Sequence, residues 1–141
     1  MKIKIDGCAG DTGCSGFTVG HTDYAVNVKL HDYDESRGGY RWVVRIKRTD
    51  GDGRALSFKY YTGRGCPTDE FDFADFANCL QSDFSAVEGC DDWRDFAREF
   101  GYDDVEGRRV FAACEDQRMK LRRLFGSFRL NRFFELYRLD D

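Results

Sequence analysis

Proline, histidine and long apolar runs are scarce in this chain of 141 residues, and each scarcity excludes a class of protein. The single proline excludes a collagen-like role for the glycine triplets of residues 7–20. No run approaches the roughly 20 apolar residues of a membrane span, and the N-terminus lacks the apolar stretch of a signal peptide. We therefore expect a protein that is soluble and cytoplasmic and has no membrane partner.

Catalytic and metal-binding motifs are also missing. The six cysteines form no CxxC pair, and in a reducing cytoplasm most are expected to be free thiols. Cys8 and Cys14, with His21 and His31, are spaced too widely for a usual zinc knuckle. The segment GDTGCSG lacks the Lys-Ser/Thr ending of a phosphate-binding loop. We predict a protein that is not an enzyme and has no cofactor, no metal and no catalytic residue.

Three stretches alternate apolar and polar residues with the period of a half-buried strand. They lie within residues 24–31, 40–47 and 56–61, and Asp50-Gly51-Asp52-Gly53 supplies a tight turn before the third. In the second stretch the side opposite the apolar residues carries three cations, Arg41, Arg45 and Lys47. Val43 lies on the same side and makes it less polar. The pattern predicts a small antiparallel sheet over residues 24–61, preceded by a Gly/Cys-rich N-terminal segment over residues 1–23, of which residues 7–20 are expected to form a mobile loop.

Residues 67–101 have the periodicity of two short helices. Thr68 after Pro67 is expected to cap the first helix, and Gly101 to end the second. The apolar stripe of the first helix is Phe73, Phe76, Ala77, Leu80 and Phe84. The stripe of the second is Trp93, Phe96, Ala97 and Phe100. These stripes predict helices that pack against a core.

The same region carries a concentration of acidic residues. Residues 66–106 hold 13 Asp and Glu against 2 Arg, whereas the whole chain has a net charge of only −4. At helical spacing, six of these carboxylates lie on flanks beside the apolar stripes, at separations of the same order as those between phosphates. They are Asp72, Asp75 and Asp83 in the first helix and Asp92, Asp95 and Glu99 in the second. We predict that acidic residues of this region form a partner-binding surface that imitates nucleic acid. Its residues are Asp69, Glu70, Asp72, Asp75, Asp83, Asp91, Asp92, Asp95 and Glu99.

The C-terminal part, residues 104–139, is basic and helical. Asp103 and Glu106 have the spacing of a capping box, and Gly126 is expected to end the helix. Arg118 falls inside the apolar stripe, so it must either extend outward or meet a carboxylate. The tail from Leu130 to Tyr137 also has helical spacing and must dock on its own domain or on another chain.

Part of the chain resembles small uncharacterised phage and prophage proteins. The resemblance extends from about Phe58 to Gly126. It rests on Phe58-Lys59-Tyr60-Tyr61-Thr62-Gly63, Pro67, the helix ending near Asp83, Phe96-Ala97-Arg98-Glu99-Phe100-Gly101-Tyr102-Asp103, Arg109, Cys114 and Leu121 to Leu124. It implies a protein of a bacterial mobile element, and such loci often encode small inhibitors of host defence, including anti-CRISPR proteins. No catalytic residue follows from it.

We therefore predict a single α+β domain in which three to four helices cover one face of the sheet. The first functional hypothesis is a phage-encoded, non-enzymatic, anti-CRISPR-like inhibitor. It would be a monomer or homodimer whose acidic surface binds a bacterial defence protein or ribonucleoprotein complex, without contacting nucleic acid directly. The alternative is a small DNA- or RNA-binding regulator that uses the basic helix around Arg122 and Arg123.

Overall fold

The α+β fold class is confirmed by the structure, a computed structural model that describes residues 1–50 and 53–138. The chain forms two compact units, one from Met1 to Phe76 and the other beginning at Ala77. The predicted turn residues Gly51 and Asp52 lie outside the described residues.

The first unit contains two antiparallel sheets. Strands β1 and β6 form the smaller sheet, and the larger has the order β2-β3-β4-β5. The strands are β1 (Lys2–Lys4), β2 (Thr12–Val19), β3 (Thr22–Asp34), β4 (Gly39–Arg48), β5 (Leu56–Gly63) and β6 (Glu70–Asp72). The three strands predicted from alternation are confirmed as β3, β4 and β5.

The prediction of a loop over residues 7–20 is wrong, because most of this segment is strand β2. It pairs with β3 along its whole length, from Thr12 opposite Lys29 to Val19 opposite Thr22. Packing explains the glycine at position 13, because a Cβ there would lie only 2.7 Å from the Ile3 side chain. A glycine in a strand can thus mark close approach of a neighbouring segment and not a turn.

One face of the larger sheet forms the core of the first unit. Its buried residues include Tyr24, Val26, Val28, Leu30, Trp42, Val44, Ile46 and Phe58. The ring centroids of Trp42 and Phe71 are 5.1 Å apart, and the Trp42 indole N–H donates a hydrogen bond of 3.1 Å to the Thr62 hydroxyl. Phe76 packs edge-on against Phe58. Aromatic side chains therefore fix one side of the sheet, and the alternating side chains point to the other.

Three helices follow, namely α1 (Phe73–Glu88), α2 (Trp93–Phe100) and α3 (Asp104–Leu136). Helix α1 begins later than predicted, because residues 70–72 are paired with β1. Asp72, not Thr68, caps it by accepting hydrogen bonds from the backbone N–H groups of Ala74 and Asp75. Gly101 ends α2 with φ 74°, as predicted.

Helix α3 consists of two helical segments separated at Gly126, which has φ 69° and ψ 180°. The prediction that Gly126 interrupts the helix is confirmed, as is the helical tail. The Asp103 carboxylate accepts from the Glu106 N–H at the start of α3. In the tail, Phe133 is fully buried and stacks on Phe125 with centroids 4.6 Å apart. The tail therefore docks within its own unit. No helix among the described residues is long and apolar enough to span a membrane.

Candidate functional site

The predicted acidic surface is only partly available to a partner. In the first unit, Glu70 forms an ion pair with Lys2 at 3.4 Å, and Asp72 is occupied as the cap of α1. Asp69 and Asp75 are exposed and form neither an ion pair nor a side-chain hydrogen bond with another described residue. The prediction that Asp72 lies on a flank of the helix is wrong, since it precedes the helix.

The acidic residues of the second unit divide in the same way. Asp92 caps α2 by accepting from the Asp95 N–H, and Asp95 forms an ion pair with Arg98 at 3.5 Å. Asp83 is half-buried, and burial raises the pKa of its carboxyl group. The carboxylates of Asp91 and Glu99 remain exposed and form no ion pair or hydrogen bond in the described part of the chain, although the Asp91 backbone N–H donates to Asp95. Four of the nine predicted residues therefore present free carboxylates.

The basic C-terminal helix is also largely paired. Arg118 and Arg122 both donate to Glu88, at 2.6 and 2.8 Å, so of the two alternatives for Arg118 the structure shows the pairing with a carboxylate. The other pairs are Arg109 with Glu106, Lys120 with Asp116, and Arg132 with Glu135. Because these cations are neutralised within α3 or by α1, the helix offers less free positive charge than its sequence indicates.

A different basic surface lies on the face of the larger sheet opposite the core. It is formed by five cations of β3, β4 and β5, which we call the basic face: Lys29, Arg41, Arg45, Lys47 and Lys59. Within residues 1–50 and 53–138, none of the five forms an ion pair. Lys29, Arg45, Lys47 and Lys59 are exposed, and Arg41 is half-buried.

Val43 lies at the centre of this face. The register places Lys29 opposite it on β3 and Lys59 opposite it on β5. Side chains that face each other across antiparallel strands have Cβ atoms about 5 Å apart. Arg41 and Arg45 lie two residues to either side along β4, at about 6.7 Å by strand rise. Four cations therefore surround one half-buried apolar side chain.

His31 extends the basic face without adding charge to it at neutral pH. The Arg41 guanidinium donates a hydrogen bond of 3.4 Å to His31 Nδ1, so the imidazole acts as an acceptor. Burial lowers the pKa of His31, and the neighbouring Arg41 and Lys29 lower it further. Arg37 stacks over the ring of Tyr61, which is paired with Arg41 across the strands. This end of the face combines cations with rings.

Repulsion among these cations destabilises the fold, and a surface kept despite that repulsion is a candidate binding site. Like charges that are close neighbours on a sheet repel one another, and none of the five cations forms an ion pair with a described carboxylate. The alternation in β4 already revealed the cations and Val43, so this part of the signal was present in the sequence.

The second unit also contains a cavity. It has a volume of about 440 Å³, and Cys90, Asp95, Glu99 and Phe100 are among its lining residues. Burial, followed by the charges of Asp95 and Glu99, raises the pKa of the Cys90 thiol, which makes this cysteine a poor nucleophile. No group of three His, Cys, Asp or Glu side chains in the described ranges is arranged to hold a metal ion.

Comparison with protein-family models, with curated proteins and with solved structures finds no match to this chain. The resemblance to phage proteins therefore stays a prediction, and the two charged surfaces are the candidate functional sites of the described residues.

Proposed function

We propose that this chain is a non-enzymatic binding protein whose basic face contacts the phosphate backbone of a nucleic acid. The observation that carries the proposal is the set of five cations without ion-pair partners among the described residues. Phosphate contacts from Lys and Arg supply most of the affinity of non-specific nucleic-acid binding. The proposal keeps the nucleic-acid alternative drawn from the sequence and moves its site from the C-terminal helix to the sheet.

The net charge of −4 does not oppose this function locally. At physiological ionic strength the Debye length is about 8 Å, so exposed charges farther away are largely screened. The five cations, in contrast, lie within a few residues of one another on three adjacent strands. A bound phosphate chain would experience their local field more strongly than the average charge of the protein.

The test is binding of a fluorescent oligonucleotide, followed by anisotropy over a range of salt concentrations. The triple variant Lys29→Gln, Arg45→Gln, Lys59→Gln should lose at least tenfold in affinity and show a weaker salt dependence. The matched control is Arg108→Gln with Arg123→Gln, which removes two exposed cations of α3. Loss of affinity in the control alone would return the site to the helix, and no binding at low salt would end the proposal.

A second candidate function is the phage-encoded, anti-CRISPR-like inhibitor. The exposed carboxylates of Asp69, Asp75, Asp91 and Glu99, which have no side-chain partner in the described structure, favour it. Such carboxylates can meet the basic channel of a nuclease or surveillance complex through complementary charge.

The inhibitor function is tested by adding the protein to a CRISPR surveillance complex and measuring its binding to target DNA. Inhibition that is lost in the double variant Asp91→Lys, Glu99→Lys, and retained in the triple variant of the basic face, would support this function. Inhibition with the opposite dependence would assign the effect to the basic face.

A further inference from the structure

We infer that the basic face binds a single strand of nucleic acid in preference to a duplex, an inference that rests on the proposed function. The arrangement of charges around Val43, the width of the sheet and the position of the rings point to this ligand. Each of the three is independent of the net charge.

The width of the sheet argues against a duplex. The axes of four neighbouring strands span about 14 Å, since adjacent strands lie about 4.8 Å apart. The major groove of B-form DNA is about 12 Å wide and admits a helix or a two-stranded ribbon. The cations lie on β3, β4 and β5, and β2 pairs with β3 along its whole length. The sheet therefore cannot place these side chains on base edges inside a groove.

The pattern of the face fits an extended single strand. From Arg41 to Lys47 the basic face extends about 20 Å along β4, by strand rise. A phosphate chain that follows this direction passes Arg41, Arg45 and Lys47 in turn, and Lys29 and Lys59 flank it on both sides. A strand can bend to reach all five cations, whereas a duplex presents a convex surface that touches fewer of them.

Val43 and the rings supply contacts that only unpaired bases can use. A base that is not stacked in a duplex exposes its apolar faces, and such faces stack on aromatic rings and pack on apolar side chains. Val43 is apolar and half-buried between the cations, and Tyr61 is half-buried beside Arg41. We expect the bases to lie over Val43 and towards Tyr61 while the phosphates contact the cations. Since these contacts do not require the sugar hydroxyl, DNA and RNA strands should bind similarly.

The experiment compares a 12-nucleotide thymidine strand, a 12-nucleotide uridine strand and a 12-base-pair DNA duplex. We expect both single strands to bind at least tenfold more tightly than the duplex and within about threefold of each other. The logarithm of the affinity should fall with the logarithm of salt concentration with a slope of about −3.5, since each of the five phosphate contacts on a single strand contributes about −0.7. A duplex bound as tightly as the single strands would overturn the inference and leave the proposed function intact.

Two variants of Val43 test the centre of the face. Val43→Asp places a carboxylate within reach of Lys29 and Lys59, so single-strand binding should fall more than tenfold while the thermal midpoint is unchanged or higher. Val43→Thr keeps the shape and adds no charge, so its loss of single-strand binding should be smaller than that of Val43→Asp. If Val43→Asp is folded and binds normally, the inference fails. If none of the three oligonucleotides binds the native protein, the proposed function fails with it.

Discussion

The sheet of the first unit and the acidic segment from Asp69 to Glu99 use their charges in opposite ways. On the basic face five cations are brought together and no described carboxylate pairs with them. In the acidic segment, Asp72 and Asp92 satisfy helix N-termini, and Glu70 and Asp95 form ion pairs. The more heavily charged segment of the sequence therefore offers less unpaired charge than its composition suggests.

This difference follows from backbone geometry. A helix start leaves N–H groups without partners, and Asp is well suited to accept from them. Acidic residues at the starts of short helices therefore accept hydrogen bonds from the backbone and are not available to a binding partner. A strand interior has no such demand, because its N–H groups are used in the ladder and alternate side chains point away from it. Cations on the polar side of a strand therefore remain available unless an acidic neighbour is provided.

The largest expected effect is the difference in unfolding free energy between alanine variants of two neighbouring residues on opposite faces of β4. Val44 is completely buried in the core, and Val43 is at the centre of the basic face. Val44→Ala should lower the free energy of unfolding by about 2 kcal/mol. Val43→Ala should change it by less than about 0.5 kcal/mol, since the site is partly solvated. Denaturant unfolding of both variants measures the difference, and equal losses would show that the two faces are not distinct.

The fold was predictable from the sequence wherever one periodicity dominated. Alternation predicted β3, β4 and β5, and helical spacing predicted the buried residues Phe76, Leu80, Phe96 and Phe125. Strand β2 was missed because its glycines resemble a loop, although Gly13 is required by the approach of Ile3. Pairing between distant segments, such as that of β1 with β6, leaves no local periodicity to read.

The candidate site was less predictable than the fold. Counting carboxylates could not show that Asp92 is a cap or that Asp83 is half-buried, since both depend on where the helices begin and pack. The cations of β4 were visible, but their grouping with Lys29 and Lys59 depends on the strand register. A one-residue shift of register would have placed these residues on the other face of the sheet.

The second prediction compares two adjacent aspartates of the acidic segment. Asp92→Ala removes the cap of α2 and should cost about 1 kcal/mol. Asp91→Ala removes an exposed carboxylate without a side-chain partner in the described structure, so its effect should stay within about 0.5 kcal/mol. Thermal unfolding under identical conditions provides the measurement. Equal effects would contradict the division of the acidic segment into structural and free residues.

The third prediction concerns Glu88, which pairs with both Arg118 and Arg122. Glu88→Ala should cost about 0.5 to 1 kcal/mol at pH 7, a modest value because all three side chains are partly exposed and solvent screens the pairs. Glu99→Ala, at an exposed carboxylate with no described side-chain partner, is the control and should have a smaller effect.

The same pair of variants gives a pH dependence with a defined sign. The hydrogen bond from Arg122 is the main cause that holds the pKa of Glu88 below its usual value of 4.5, with Arg118 contributing further. The stabilisation is therefore complete above pH 4.5 and is lost as the pH falls through the lowered pKa of the folded state. The stability difference between Glu88→Ala and the native protein should shrink over that acidic range. A difference that persists at the lowest pH would exclude an electrostatic origin.

The smallest expected effect is a gain in stability when the basic face loses a charge. Arg45 is exposed and has no ion-pair partner among the described residues. Lys47 lies two residues along β4, and Lys29 and Lys59 are diagonal to Arg45 across the strands. Arg45→Gln relieves part of their mutual repulsion and should raise the free energy of unfolding by a few tenths of a kcal/mol at low salt. The gain should disappear at high salt, where the repulsion is already screened. Because a face selected for binding tolerates repulsion that a purely structural face would not, the same variant should bind the thymidine strand more weakly. Denaturant unfolding and anisotropy on one preparation measure both quantities, and a variant that is less stable and binds equally well would indicate that Arg45 has a structural role.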